Sequence, residues 1–286
     1  MIVFGKPLGV DWTRRARIAC AWAALSCAAF SACATAPRPA QDDYSGQAKY
    51  AYEEGMAAFE SSEYLESVKR FNYVRTKFPY SKYAALASLR IGDTYFAQGQ
   101  MPSAIEGYRR FVQLHPTHPD VPYANYRVCL AFFEQLPGDW FFLPPAYEKD
   151  LASTEDALDE LETFLRDHGT SQYAEEIHEK LVIVRQRLAD HEFFVATFYL
   201  EREQPRAAAL RLRYLLDHYP GVGFDEQAAF LLGKSYLMLG DVGQAVETWQ
   251  GLSEQYPQHP LTREAQSYMR RYQLAAPRPS AQNAAP

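Results

Sequence analysis

Between residues 46 and 257 the apolar positions recur at helical spacing, and one pattern is written five times. The copies close at Pro79, Pro116, Gly169, Pro220 and Pro257. Twelve positions before each close the residue is small: Ser67, Ala104, Ala157, Ala208 and Ala245. Eight before, it is bulky: Phe71, Tyr108, Leu161, Leu212 and Trp249. Five before, it is apolar: Val74, Phe111, Phe164, Leu215 and Leu252. Separations of four and seven fall on one face of an α-helix. Each copy therefore predicts an amphipathic helix ended by a breaker. The copy at 240–257 is the cleanest, and its Trp249 reads as core of the last repeat.

A first helix precedes each of these. Gly55, Gly92, Ala196 and Gly233 lie twelve residues before Ser67, Ala104, Ala208 and Ala245. A small residue there lets two antiparallel helices approach closely. Tyr95 and Tyr236 follow Gly92 and Gly233 by three, on a neighbouring face. The turns at 98–102 and 239–243 supply a glycine stop and a new start.

The third copy departs from the rule. Cys129 holds the small position, yet Ala157 follows it by 28 residues rather than twelve, so 16 residues are inserted near 135–150. Pro137, Pro144 and Pro145 rule out a regular helix through this stretch. Either Trp140, Phe141 and Phe142 fold back on the helices, or Trp140 and Phe141 present a partner-binding tip. The fourth copy has a long first helix. Residues 172–202 contain no breaker and carry Ile177, Leu181, Val184 and Leu188 at helical spacing. About 30 helical residues span about 45 Å, enough for a rigid spine between repeats one to three and repeats four and five. A last helix over 262–274, packing through Ala265, Tyr268 and Met269, looks like a cap.

This order of Gly, Tyr, Gly, Ala, aromatic residue and Pro resembles the tetratricopeptide repeat, a helix–turn–helix unit of about 34 residues. The expected fold is all-α: a tetratricopeptide-repeat solenoid of five helix pairs plus a C-terminal capping helix. The expected organisation is N-terminal repeats over 47–170, C-terminal repeats and cap over 171–274, and a disordered Ala/Pro-rich tail over 275–286.

The N-terminus adds a destination. Arg14, Arg15 and Arg17 precede an apolar run over 18–30, too short for a comfortable transmembrane helix but with the anatomy of an export signal. Phe30-Ser31-Ala32-Cys33 resembles a bacterial lipobox, with Phe30 where Leu is usual. Cys33 is the expected acylation site, with residues 1–32 removed and 33–46 serving as a polar tether. Cys27 heads a rival box, and cleavage near Ala32 or Ala36 without acylation is the alternative. Ala34 beside the cysteine favours the outer membrane under lipoprotein sorting rules. Arg14-Arg15 is a weak twin-arginine match.

Charge and cysteines narrow the class. The chain of 286 residues has a net charge of −6, and residues 33–286 alone carry −9, which argues against a nucleic-acid partner. Of four cysteines only Cys129 lies beyond the N-terminal stretch, so no disulfide or cysteine metal site is expected.

The search for chemistry returns little. His115-Pro-Thr-His118 is the nearest thing to a ligand pair, in a loop with two prolines. His168 and His218 sit in last helical turns, where partial positive charge suits the dipole. Gly233-Lys-Ser235 mimics the end of a phosphate-binding loop, but Ala228 stands where that loop needs glycine. No HExxH helix or nucleophile elbow occurs. A binding scaffold without cofactor or metal is expected rather than an enzyme.

Specific stretches carry a family resemblance. Residues 190–202, with Val195-Ala196, Tyr199 and Arg202, precede a small-residue helix that ends at Tyr219-Pro220. With 71–84 and 95–116, they resemble the BamD family of β-barrel assembly lipoproteins over about residues 44–257. The resemblance implies a scaffold on the periplasmic face of the outer membrane. It implies that the N-terminal repeats receive the C-terminal signal strand of unfolded outer-membrane proteins. It also implies that the C-terminal repeats bind a POTRA domain of the barrel component BamA, with accessory Bam lipoproteins as further candidates. Arg211 matches a family arginine that supports the barrel contact. A groove lined by Tyr52, Tyr73, Tyr95 and Tyr108 would suit an extended aromatic-rich peptide; packing between helices is the competing role for these tyrosines. Another periplasmic repeat lipoprotein, such as a secretin pilotin or a cell-division coordinator, is the alternative function. A repeat-bearing hydrolase is a third, with no unassigned stretch large enough to hold it.

Overall fold

The computed structural model describes residues 44–137 and 151–273. Those residues form eleven α-helices. They are α1 (Tyr44–Glu60), α2 (Tyr64–Lys77), α3 (Lys82–Ala97), α4 (Met101–Leu114), α5 (Val121–Phe133), α6 (Ala152–His168), α7 (Ala174–Glu201), α8 (Pro205–His218), α9 (Asp225–Met238), α10 (Val242–Gln255) and α11 (Pro260–Gln273). Each helix packs chiefly on the next one in the chain, as stacked helix pairs must. The five expected pairs are α1–α2, α3–α4, α5–α6, α7–α8 and α9–α10. Helix α11 covers the last pair. Helix α1 begins at Tyr44, inside the stretch expected as tether.

All fifteen repeat positions are buried, and none exceeds 2% exposure. The reason lies in how paired helices meet. A Cβ added at Gly55 would stand 2.7 Å from the Phe71 ring, one at Gly92 2.7 Å from Tyr108, and one at Gly233 2.3 Å from Trp249. Each ring therefore lies flat on a first helix where no side chain exists. Repeats three and four put Leu161 and Leu212 in the bulky position, and their first helices carry Cys129 and Ala196 instead of glycine. The size of one residue is matched to the other: glycine with a ring, alanine or cysteine with leucine. This is close packing at the level of one or two carbon atoms. Trp249 also donates its indole N–H to the Phe230 carbonyl at 3.1 Å, so its polar atom is buried at no hydrogen-bond cost.

The turns inside repeats one, two, four and five share one geometry. In repeat two the Gly99 N–H donates to the Phe96 carbonyl and the Gln100 N–H to the Tyr95 carbonyl. Gly240 and Asp241 do the same to Leu237 and Tyr236. Gly99 and Gly240 are left-handed, with φ of 73° and 80°. This is the Schellman stop. Ser62 and Glu203 take the equivalent places with φ of 60° and 56°, a conformation that costs a non-glycine residue about 1 kcal/mol. The second helices end alike at Phe78, His115, Tyr219 and Tyr256, each with φ near −130° and ψ between 51° and 61°, immediately before the repeat proline. A residue before proline is driven out of the helical region, so the proline sets the length of the helix. Gly169 stays helical at φ −62°, so the third repeat lacks this exit.

Residues 134–151 separate α5 from α6, where the insertion was expected. Arg187 of α7 donates to the Pro137 carbonyl at 2.6 Å, fixing the described end of the insertion to the stack. Helix α7 runs for 28 residues, or about 42 Å. Ile177, Leu181, Val184 and Leu188 are buried in one cluster with Cys129 and α6, and Ala196 further along joins the same cluster beside Leu212. One continuous core thus runs from Cys129 to Met269, whereas the first two repeats have smaller clusters of their own. Ala265 and Met269 of α11 are buried, and the Tyr268 ring lies 5.3 Å from that of Trp249, so the last repeat is capped as expected. Cys129 is a buried thiol whose titration burial pushes well up, which fits an apolar packing role.

Gly233→Ala should destabilise the protein by about 1–3 kcal/mol through contact with Trp249. Gly251→Ala, at a helical site with open space around it, should stabilise by up to about 1 kcal/mol. Glu203→Gly should also stabilise, by about 1 kcal/mol, through relief of the left-handed residue. Urea denaturation of the three variants checks the signs.

Candidate functional site

The first helices of repeats one to three, with the start of α7, carry a connected band of aromatic and charged side chains. At its centre is Asp93, buried, directly after the repeat glycine Gly92. Its carboxylate accepts hydrogen bonds from Arg90 at 2.5 Å, from the Tyr108 hydroxyl at 2.7 Å and from the Tyr123 hydroxyl at 2.9 Å. Arg127 of α5 lies 3.8 Å from the same carboxylate, donates to the Tyr108 hydroxyl at 3.1 Å and lays its guanidinium 3.8 Å from the Phe96 ring centre. Two arginines surround one buried acid, so the band has a local positive excess. Desolvation, then the Asp93 charge, push the Tyr123 hydroxyl up to about 12, and the same causes push Tyr108 higher.

The band extends in both directions. Arg90 donates to the Tyr52 hydroxyl on α1 at 3.3 Å, and Tyr52 packs on Tyr83 at 5.6 Å. On the other side Tyr126 stacks on Tyr173 at 4.4 Å and donates to Glu176 at 2.6 Å. Tyr52, Tyr83, Tyr123, Tyr126 and Tyr173 are all partly exposed. Such a face offers flat apolar rings and fixed polar groups together, which suits an extended peptide better than a compact small molecule.

The four tyrosines expected to line a groove separate. Tyr52 belongs to the band. Tyr108 does not line a groove: it is fully buried on Gly92, and only its hydroxyl reaches the network. The repeat places it in the bulky core position, and that position wins. Tyr95 is partly buried and lines a separate cleft of about 180 Å³ with Asn72, Arg75, Glu106 and Arg110. Tyr73 is half exposed at the first repeat and packs edge-on against Phe78 at 6.0 Å.

Arg211 lies on α8, with about half its side chain exposed. It donates to both oxygens of Glu192 on α7, at 3.2 and 3.3 Å, and Glu192 is nearly buried. Glu192 therefore holds the guanidinium in place while part of it faces outward. Leu210 and Tyr214 beside it are exposed, and Tyr214 stacks on His218 at 4.0 Å. Cys33, Trp140 and Phe141 lie outside the described residues.

Sequence reasoning missed Arg90, Asp93, Arg127, Tyr123 and Tyr173. A signal was present for two of them: Arg90 and Arg127 each stand two residues before the small residue of their first helix, Gly92 and Cys129. Among the described residues no group of three potential metal ligands comes together. His115 and His118 flank the Phe111 ring, with His115 lowered by burial and by its neighbour. Gly233 of the Gly233-Lys-Ser235 segment is covered by the Trp249 ring.

The fold is that of a tetratricopeptide-repeat solenoid protein, and residues 227–259 match a tetratricopeptide repeat family model. The chain belongs to the YfiO outer membrane lipoprotein family, whose model matches residues 44–242. Its relatives include proteins named outer membrane protein assembly factor BamD. That of Neisseria meningitidis is 26% identical over 82% of this chain and 89% of its own. That of Xylella fastidiosa is 26% identical over 74% and 73%. That of Caulobacter vibrioides is 27% identical over 66% and 59%. The resemblance to BamD drawn from the repeats is the one these comparisons return.

Asp93→Ala should cost about 3–5 kcal/mol, because it leaves Arg90 and Arg127 without their buried counter-charge. Tyr123→Phe should cost about 1 kcal/mol, the worth of one hydrogen bond. Thermal unfolding of both variants tests the ranking.

Proposed function

We propose that this chain is a lipid-anchored scaffold subunit of the outer-membrane β-barrel assembly machinery. The observation that carries the reading is membership of the outer membrane lipoprotein family over most of the described chain, with relatives named as outer membrane protein assembly factors. On this reading the chain works by binding, with no reaction of its own. Cys33 is acylated and holds it at the periplasmic face of the outer membrane. The band from Tyr52 to Tyr173 receives the C-terminal strand of an unfolded outer-membrane protein. Aromatic side chains of that strand stack on the tyrosines, and its terminal carboxylate is drawn by Arg90 and Arg127.

The C-terminal repeats bind the periplasmic POTRA region of the barrel component through Arg211, with Leu210 and Tyr214 as apolar neighbours. Glu192 supports this by presenting a pre-ordered guanidinium, so little side-chain entropy is lost on binding. Accessory lipoproteins of the same machinery complete the set of partners.

Co-purification from detergent-solubilised membranes distinguishes this reading from its alternative. Recovery with a large β-barrel protein supports it, and recovery with a secretin overturns it. Arg211→Glu should weaken binding to the barrel component by at least about tenfold, or 1.4 kcal/mol. Arg211→Lys keeps the charge near Glu192 and controls for folding. Equal affinity of Arg211→Glu and the native chain in a pull-down titration would sink the assignment of Arg211.

A further inference from the structure

The most exposed aromatic surface of the described residues is not on the polar band. It surrounds the start of α1 and the end of α2. Tyr44, the first described residue, packs edge-on against Phe78 at 5.3 Å. Tyr73 packs edge-on against the same ring from α2. The Tyr80 N–H donates to the Tyr44 hydroxyl at 3.4 Å, and the Tyr80 side chain is 96% exposed. Tyr50 and Tyr73 line one open cleft with Phe78, Glu54 and Arg70. Tyr44, Tyr50, Tyr73 and Tyr80 thus form one continuous surface around a buried phenylalanine, and each is at least 44% exposed.

Four tyrosines each left at least 44% exposed need an occupant. Tyrosine is favoured where one end of a side chain meets an apolar phase and the other meets water, as at the headgroup level of a bilayer. The charges at the rim suit that phase. Lys77 and Lys82 are exposed and form no ion pair among the described residues, whereas Glu54 is paired with Arg70 and Glu53 with Lys49. Lys82 lies 5.2 Å from the Tyr83 ring centre, and the charges of Glu53 and Glu54 are offset by their own partners.

Chain length supplies the second argument. Only ten residues, 34–43, lie between Cys33 and Tyr44. Fully extended, that segment reaches at most about 40 Å. An anchor at Cys33 therefore holds the first repeat within that distance of the bilayer and sets no such limit on the fifth.

We propose that Tyr44, Tyr50, Tyr73 and Tyr80, with Lys77 and Lys82, form a surface that rests on the phospholipid headgroup layer. The proposal depends on the acylation of Cys33 read above. One lipid-modified residue leaves the domain free to turn about its tether. A tyrosine surface at the tether's end fixes which side of the first repeat faces the membrane. It thereby points the first-helix band in a set direction.

The test uses the full-length processed lipoprotein in vesicles of phosphatidylethanolamine and phosphatidylglycerol. A nitroxide is attached at Tyr80→Cys or, as a control in the fifth repeat, at Met238→Cys. Both sites are exposed, and the one other thiol of the described residues, Cys129, is buried. The ratio of oxygen to nickel-complex accessibility should be several-fold higher at 80 than at 238, because oxygen concentrates in the apolar phase. Water-like ratios at both positions, with Cys33 acylated by mass spectrometry, overturn the membrane surface and leave the anchor intact. Unmodified Cys33 with the protein in the soluble fraction overturns both. Protection of position 80 that appears only when an aromatic-rich peptide is added, and not with vesicles alone, overturns the membrane surface in favour of a peptide site.

Discussion

The structure depends on one arrangement made five times: a bulky side chain of a second helix packed at a small residue of the first. Where the ring is large, as with Phe71, Tyr108 and Trp249, the opposing residue is glycine and no Cβ would fit. Where it is leucine, the opposing residue is alanine or cysteine. The fit sets how near the two helices lie. The spacing of each pair then fixes how the next pair stacks. Because each helix rests mainly on its chain neighbours, stability accumulates along the stack and no distant contact is needed to close it.

A scaffold built this way leaves its first helices with a second job. Their buried side is committed to the small-residue contact, and the residues around it are free to carry chemistry. Asp93 uses that freedom directly beside Gly92. It draws Arg90, Arg127, Tyr108 and Tyr123 into one network across three helices. The network ties adjacent repeats together and keeps two guanidinium groups at the edge of an aromatic face. Burial makes the carboxylate costly to leave unpaired, so the same bonds that stabilise the stack also hold the arginines in position. Glu192 does the corresponding work for Arg211 on the later repeats.

Much of the fold was legible in the sequence because the pairing contact has a strict period. Ser67, Phe71 and Val74 with their four sets of equivalents named the buried face of every second helix. Ile177, Leu181, Val184 and Leu188 named the long helix, and Ala265 and Met269 the cap. The site was less legible for a physical reason. Periodicity reports what is buried and apolar; Asp93 is buried and charged, and its worth depends on side chains 15 to 34 positions away. Tyr108 shows the converse error. It was expected among the tyrosines lining a peptide groove, but its repeat position required it to fill the space over Gly92, and only the oxygen atom takes part in the network.

The chain belongs to an outer membrane lipoprotein family, and on the proposed reading the polar-aromatic band and the ordered Arg211 are surfaces at the two ends of the stack for different partners. The most direct measurement is the folded fraction of outer-membrane porins, read by their heat-modifiable mobility, as the protein is depleted from the cell that makes it. The account predicts that unfolded porin accumulates as the chain is lost, while export across the inner membrane continues. Full porin folding in cells that no longer hold the protein would contradict it.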